Sequence, residues 1–227
     1  MQRITEADPR FCLTRNTLKK QIAGPYQARN IGLNLARGDF ICFLDIDDRW
    51  LPHKLSAQAE QLSINKELKL IFAPYVRMRR GAIQGRIRCA PPFLTPKTWV
   101  RIANPIPMLT ACVCRNVIAD LRFKPQHHED YLFWYEVLQS LTPEQVAEAR
   151  SPLAIYSVHD TSISSNKFIA TKWIWQCYRQ FGYSRPLATA ALLGRGLLQG
   201  WLIGSEMGRW SKKLNATEQK IIGITQY

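Results

Sequence analysis

A chain of 227 residues with 46% hydrophobic and 11% aromatic content holds enough apolar mass for one substantial core, which excludes a disordered polyelectrolyte. Its 31 basic against 17 acidic residues leave a formal net charge of +14, so an anionic partner is expected: nucleic acid, an acidic membrane surface or a phosphorylated small substrate. The six cysteines (Cys12, Cys42, Cys89, Cys112, Cys114, Cys177) are scattered without zinc-site spacing and no secretory signal opens the sequence, so a reducing cytosolic setting is expected.

In chain order, "RFCLTRN" (10–16) reads as a short strand closed by a turn. A helix follows from about Tyr26, with Ala28, Ile31, Leu35 and Ala36 on one side and Gly38 at its stop. "DFICFLDI" (39–46) is an uninterrupted apolar run of strand length, as a buried parallel strand requires. Pro52 opens a helix through about Ser63 (Leu55, Ala59, Leu62), and "LKLIFAPYVRM" (68–78) is the next strand. Residues 79–101, rich in Arg, Gly and Pro, read as a long surface loop, and 106–115 resumes β character. A helix begins at Asp130, "PLAIYSVH" (152–159) is a last strand, and two helices are expected over 167–181 and 186–207. Strands alternating with helices predict an α/β domain with a mostly parallel sheet.

The chemistry concentrates where the run 39–44 ends in Asp45, Asp47 and Asp48. Ligands collect at the carboxyl ends of strands in α/β sheets. Asp45 and Asp47, two apart, point the same way in extended geometry and can share one Mg²⁺ or Mn²⁺ ion bridged to a diphosphate. The plain alternative is an Asp-rich turn. Phosphohydrolases of the haloacid dehalogenase type also end an apolar strand in D-x-D, but Arg49 and Trp50 follow here and no downstream glycine–aspartate motif supplies further ligands. From Val76 to Arg101 there are seven basic residues (Arg77, Arg79, Arg80, Arg86, Arg88, Lys97, Arg101) and no acid. They lack the interleaved aromatics of a nucleic-acid surface, so no nucleic acid is expected beyond a nucleotide donor.

"ARNIGLNLARGDFICFLDIDDRWLPHKL" (28–55) resembles the central segment of family 2 glycosyltransferases of the GT-A fold: A-R-N-x-G, a helix, G-D-aromatic, an apolar strand, L-D-x-D-D, then W-x-P-x-K-L. "NPIPMLTACVCRN" (104–116) is similar to the strand entering that family's acceptor site, and "HHEDYLFWYEVL" (127–138) to its acidic motif. "LAIYSVHDTSISSNK" (153–167) is similar to the closing strand and Ser-rich turn of members that build bacterial surface polysaccharides; the resemblance covers roughly 8–170.

The resemblance implies that Asp47 and Asp45 hold the metal and that Asp45, Asp48, Arg29 and Asn30 meet the nucleotide-sugar; His159, after the last strand, is a candidate for a further metal or diphosphate contact, or simply faces solvent. It implies Asp130 as the general base that takes the acceptor hydroxyl's proton; capping of a helix is the plain reading of Glu129–Asp130. His127 and His128 are expected to flank that motif rather than bind metal. Arg77, Arg79, Arg80, Arg86 and Arg88 would face a phosphorylated or acidic acceptor, or simply solvent. Family members begin with two strand–helix units ending in D-D-G-S that this sequence does not show, so the fold is expected to be an N-terminally truncated GT-A domain over 1–166 with amphipathic helices over 167–227. Arg195 and Gln199 interrupt the apolar run 186–204, so shallow binding to a bilayer surface is expected rather than a span. The expected activity is Mn²⁺- or Mg²⁺-dependent inverting transfer from a UDP-sugar to a saccharide or lipid-linked acceptor, in polysaccharide synthesis at the inner face of the bacterial plasma membrane. The alternative is an inactive remnant that binds membranes or saccharides.

Overall fold

The computed structural model describes residues 8–14, 24–87, 94–158 and 167–204. Helix α1 (Tyr26–Leu35) leads into β1 (Phe40–Cys42), β2 (Arg49–Trp50) and α2 (Lys54–Ile64). Then come β3 (Leu70–Phe72), β4 (Tyr75–Arg79), β5 (Ala82–Ile87) and the short α3 (Pro96–Trp99). A 3₁₀ turn (Met108–Thr110) precedes β6 (Cys112–Cys114), and α4 (Glu129–Ser140) is followed by β7 (Val146–Glu148) and β8 (Ala154–Ser157). The chain description closes with α5 (Lys167–Gln180) and α6 (Arg185–Gly204).

The strands form two four-stranded sheets, in the orders β1-β6-β3-β7 and β2-β8-β4-β5. The expected mostly parallel sheet is not what forms. Each sheet has one parallel pair, β3–β7 and β4–β8, and its other pairs are antiparallel. In the first sheet the reason is β6, which runs against both neighbours and lies between β1 and β3. Apolar runs announce a strand but not its direction, so one inserted strand turns two pairings antiparallel.

The second sheet arises where the sequence pattern was overruled locally. The run 68–78 is broken at Ala73–Pro74, so β3 and β4 belong to different sheets. The first part of the expected Arg-rich loop, 79–87, is instead the end of a hairpin: Arg79 pairs with Ala82 across Arg80 (φ 49) and Gly81 (φ 80). Two positive φ angles in a two-residue connection match the right-handed twist of the flanking strands. In the described part of the expected first strand, 10–14, no strand forms.

Alternation along β3 divides the core. Leu70 and Phe72 pack with Val113 and with Tyr131, Trp134, Val137 and Leu138 of α4. Cys177, Tyr178 and Phe181 of α5 and Ala188 of α6 join that cluster. Ile71 faces the other side with Cys112, Leu68 and Leu62. The buried residues of α2 are Lys54 and Gln58, whereas Leu55 is 56% exposed. Two basic residues of the Arg-rich segment also serve the fold. Lys97 Nζ donates to the carbonyls of Gln139 (3.2 Å) and Leu141 (2.9 Å) at the end of α4, and Arg101 donates to Gln139 Oε1, where cations suit the helix's negative end.

Candidate active site

Three rings fix the strand that carries the aspartates. Phe43 meets Phe123, Phe133 and Trp134 edge-on at 5.7, 6.3 and 6.1 Å between centroids, a favoured aromatic geometry. Beyond it the chain turns, with Asp48 N donating to the Asp45 carbonyl at 3.1 Å. Asp45 is half-exposed and Asp47 exposed, while Asp48 is buried and its Oδ1 accepts from Ser157 N at 3.0 Å. Asp48 therefore ties the turn to β8.

Arg29 joins this turn to the start of α4. Its Nη2 donates to both oxygens of Asp45 (3.0 and 2.9 Å) and its Nη1 donates to Glu129 Oε1 at 2.9 Å. The guanidinium also lies 5.5 Å from the centre of the Phe123 ring. Asn30, one residue on, makes a reciprocal pair with the Phe123 backbone: Nδ2 to the carbonyl (2.9 Å) and Phe123 N to Oδ1 (2.8 Å). Its amide holds α1 against the segment leading into α4. Glu129 is 7% exposed, and burial pushes its carboxyl up to about 7. The charge of Asp130 adds to that rise, while the backbone at Glu129 and the Arg29 cation oppose it.

Asp130 is half-buried, and its Oδ2 accepts from Asn104 Nδ2 at 3.0 Å. Asn104 is itself held by its Oδ1, which accepts from Ile106 N at 3.1 Å. The loop before it is pinned from α5 and α6: Tyr178 Oη and Arg195 Nη1 both donate to the Ile102 carbonyl, at 2.6 and 3.1 Å. Arg195, which interrupts the apolar run of α6, thus has a place beside the acidic motif. His127 stacks on Trp173 at 3.8 Å between centroids, and His128 takes a left-handed conformation (φ 55) at the helix start.

On the hairpin side, Arg77 stands opposite Tyr156 across the parallel β4–β8 pair. Burial raises the Tyr156 hydroxyl, and Asp48, Asp47 and Asp45 raise it further, whereas Arg77 lowers it. Arg77 and Tyr156 thus share the electrostatic neighbourhood of the aspartate turn. Arg79 and Arg80 occupy the end of the same hairpin, and the backbone of Arg86 lies in β5. Arg88 and His159 lie outside the described residues. Asn104 and Tyr156 escaped the sequence reading, which had only the strand character of their neighbours to go on.

An open cleft of about 800 Å³ runs between α1 and the edge of β1, lined by Ala28, Arg29, Gly32, Leu33, Phe40, Cys42, Asp45 and Asp47 among others. Among the described residues no group of three or more His, Cys, Asp or Glu is gathered to hold a metal ion. The two carboxylates that line the cleft still suit a hard cation of the Mg²⁺ type, which binds through one or two carboxylates and completes its shell with water and phosphate oxygens. No helix among the described residues is long and apolar enough to cross a membrane.

A buried arginine thus ties the D-x-D turn to an acidic helix start beside this open cleft. The chain belongs to glycosyl transferase family 2, whose sequence model matches residues 2–115. It is 30% identical over 182 residues to the Escherichia coli UDP-Glc:alpha-D-GlcNAc-diphosphoundecaprenol beta-1,3-glucosyltransferase WfgD, covering 80% of this chain and 69% of that protein. It is also 30% identical to the putative teichuronic acid biosynthesis glycosyltransferase TuaG of Bacillus subtilis, covering 70% of this chain and 62% of that protein. Among solved structures, the fold matches S. aureus TarS 1-349 in complex with UDP-GlcNAc at a TM-score of 0.59 and 16% identity, over 97% of this chain and 65% of that one. A second crystal structure of S. aureus TarS 1-349 matches at a TM-score of 0.51 and 17% identity, over 87% of this chain and 57% of that one.

Proposed function

We propose that this chain is an inverting glycosyltransferase that moves a sugar from a UDP-linked donor to a saccharide or lipid-linked acceptor in bacterial surface-polysaccharide synthesis. The observation that carries the reading is the double engagement of Arg29, which holds Asp45 and Glu129 on one guanidinium. It joins the aspartate turn to the helix start that carries Asp130, the residue after Glu129, which supports reading the two as one site. The names of WfgD and TuaG support a UDP-glucose donor and a surface-polymer product.

In the proposed reaction the acceptor hydroxyl attacks the anomeric carbon of the donor sugar. The bond from that carbon to the diphosphate oxygen breaks on the opposite face, and Asp130 takes the hydroxyl proton. Asn104 occupies Oδ2 of Asp130, which fixes the carboxylate plane and leaves Oδ1 for that proton. Asp45 and Asp47 would hold a Mn²⁺ or Mg²⁺ ion, which would neutralise charge on the departing diphosphate. Arg77, opposite Tyr156 across β4–β8 and in the electrostatic neighbourhood of the aspartate turn, would face an anionic acceptor. The exposed Leu187, Leu193 and Leu197 of α6 support shallow attachment to the inner face of the plasma membrane.

The reading is tested with UDP-glucose and other UDP-sugars, Mn²⁺ and GlcNAc-diphospholipid acceptors in vesicles, following labelled sugar into lipid. Transfer is expected from the wild-type chain and lost in Asp130→Asn. Absence of transfer and of UDP release with every donor would favour a silent saccharide- or membrane-binding remnant.

A further inference from the structure

On the sheet face covered by α2, Cys42 and Cys112 are direct cross-strand partners of the antiparallel β1–β6 pair. Arg115 N donates to the Asp39 carbonyl at 2.8 Å, so positions 39/115 and 41/113 are the hydrogen-bonded pairs. The pair 42/112, one step beyond 41/113, is then a non-hydrogen-bonded pair, a site where opposed Cα atoms lie about 4.5 Å apart and side chains approach closest. That spacing lies inside the range of about 4.4–6.8 Å that a disulfide spans. Both sulfurs are free thiols here, Cys112 buried and Cys42 half-buried. Cys42, half-buried on the edge strand β1, is among the residues that line the open cleft, through which a small oxidant would reach it.

A third group completes the cluster. Lys54 is fully buried, its Nζ donating to Gln58 Oε1 at 2.7 Å and lying 4.2 Å from the centre of the Trp50 ring. A buried cation favours the anionic form of an acidic group beside it. Such a group is the Cys42 thiol, which the hydrogen bond from Cys112 pulls down to about 6 against its burial, with the Lys54 charge helping. Cys112 is driven the other way, by donating to Cys42 and by burial.

We propose that Cys42 and Cys112 form a peroxide-responsive modification site in which Cys42 is oxidised first and Cys112 closes a disulfide across β1 and β6. The Cys42 thiolate attacks one oxygen of hydrogen peroxide; the S–O bond forms, the O–O bond breaks, and the hydroxide leaving group takes a proton to become water. Cys112 sulfur then attacks Cys42 sulfur, the S–S bond forms, and the second oxygen leaves as water carrying the Cys112 proton. Two thiols and one peroxide give one disulfide and two waters. Cys42 ends β1 three positions before Asp45, and both line the cleft, so the bond would form beside the aspartate turn.

The test uses the full purified chain, treated with one equivalent of hydrogen peroxide, alkylated and digested without reductant. Mass spectrometry is expected to find a Cys42–Cys112 linked peptide that dithiothreitol reverses, with fragmentation assigning the bond to Cys112. Cys114→Ser is expected to leave its yield unchanged, and Cys112→Ser to accumulate a dimedone-trapped sulfenic acid on Cys42. Lys54→Met is expected to slow Cys42 oxidation about tenfold at neutral pH, through the lost thiolate fraction. Cross-links confined to other cysteines, or a Cys42 that stays fully alkylatable in the folded wild-type chain, would overturn the proposal. These readouts are independent of sugar transfer.

Discussion

Arg29 and Glu129, 100 positions apart in the chain, are joined by a 2.9 Å ion pair in which both side chains are nearly buried. The same guanidinium holds the half-exposed Asp45, so one side chain couples the aspartate turn to the acidic helix. Removing one partner of a buried ion pair leaves an uncompensated charge. Arg29→Met is expected to lower stability by roughly 3 kcal/mol and to abolish donor binding. The double variant Arg29→Met/Glu129→Gln should recover part of the stability but none of the binding, as read by denaturant melts and UDP titration. Equal losses in single and double variants would show that the pair is not coupled.

Glu129 sets a pH dependence whose sign follows from its raised carboxyl, about 7 against an ordinary 4.5. Between those values the folded state binds more protons than the unfolded state, so stability is full below the lower one and declines as pH rises toward 7. The span corresponds to roughly 3 kcal/mol at most. Urea melts in EDTA are expected to show that decline in the wild-type chain and a flatter profile in Glu129→Gln.

In the proposed reaction Asn104 acts through Asp130, by its 3.0 Å hydrogen bond, as a positioning residue. Asn104→Ala is then expected to lower kcat about tenfold to a hundredfold with little change in donor KM, whereas Asp130→Asn, which removes the proposed base, costs about 10²–10⁴. A purely structural role for Asn104 would instead lower the melting temperature and leave kcat per folded molecule unchanged.

The site's local parts were legible in the sequence, and its connections were not. The D-x-D strand end, the helix from Tyr26 and the helix start at Glu129–Asp130 each have a local signature of period, stop residue or cap. Which partner Arg29 takes, and that Asn30 serves the Phe123 backbone, depend on contacts roughly 90 to 100 residues apart. Strand direction failed for the same reason, because β6 is three residues long and its apolar content reads alike in either orientation. The α2 pattern misled because Lys54 and Gln58, not the neighbouring Leu55 and Ala59, turn inward. Polar residues four apart on a helix look like a solvent face until the thiols and the Trp50 ring opposite them are known. The strand β7, "VAE", has no hydrophobic alternation to announce it and exists through its pairing with β3.

Phe43 makes the link between core and site quantitative. It is 8% exposed and touches three rings of the α4 side. Phe43→Ala is expected to cost about 3–5 kcal/mol and to weaken UDP binding as well, since the strand end that presents Asp45 loses its anchor. Phe43→Leu should retain most of both. Thermal melts with and without UDP separate the two effects.

In the proposed function the aspartate turn binds a nucleotide diphosphate together with a divalent ion. Calorimetric titration of UDP into the full chain, with Mn²⁺ and then with EDTA, measures it directly. Saturable 1:1 binding that needs Mn²⁺ and is lost in Asp47→Ala is the predicted result. Absence of binding in the folded wild-type chain, or equal binding by wild-type and Asp47→Ala, would contradict it.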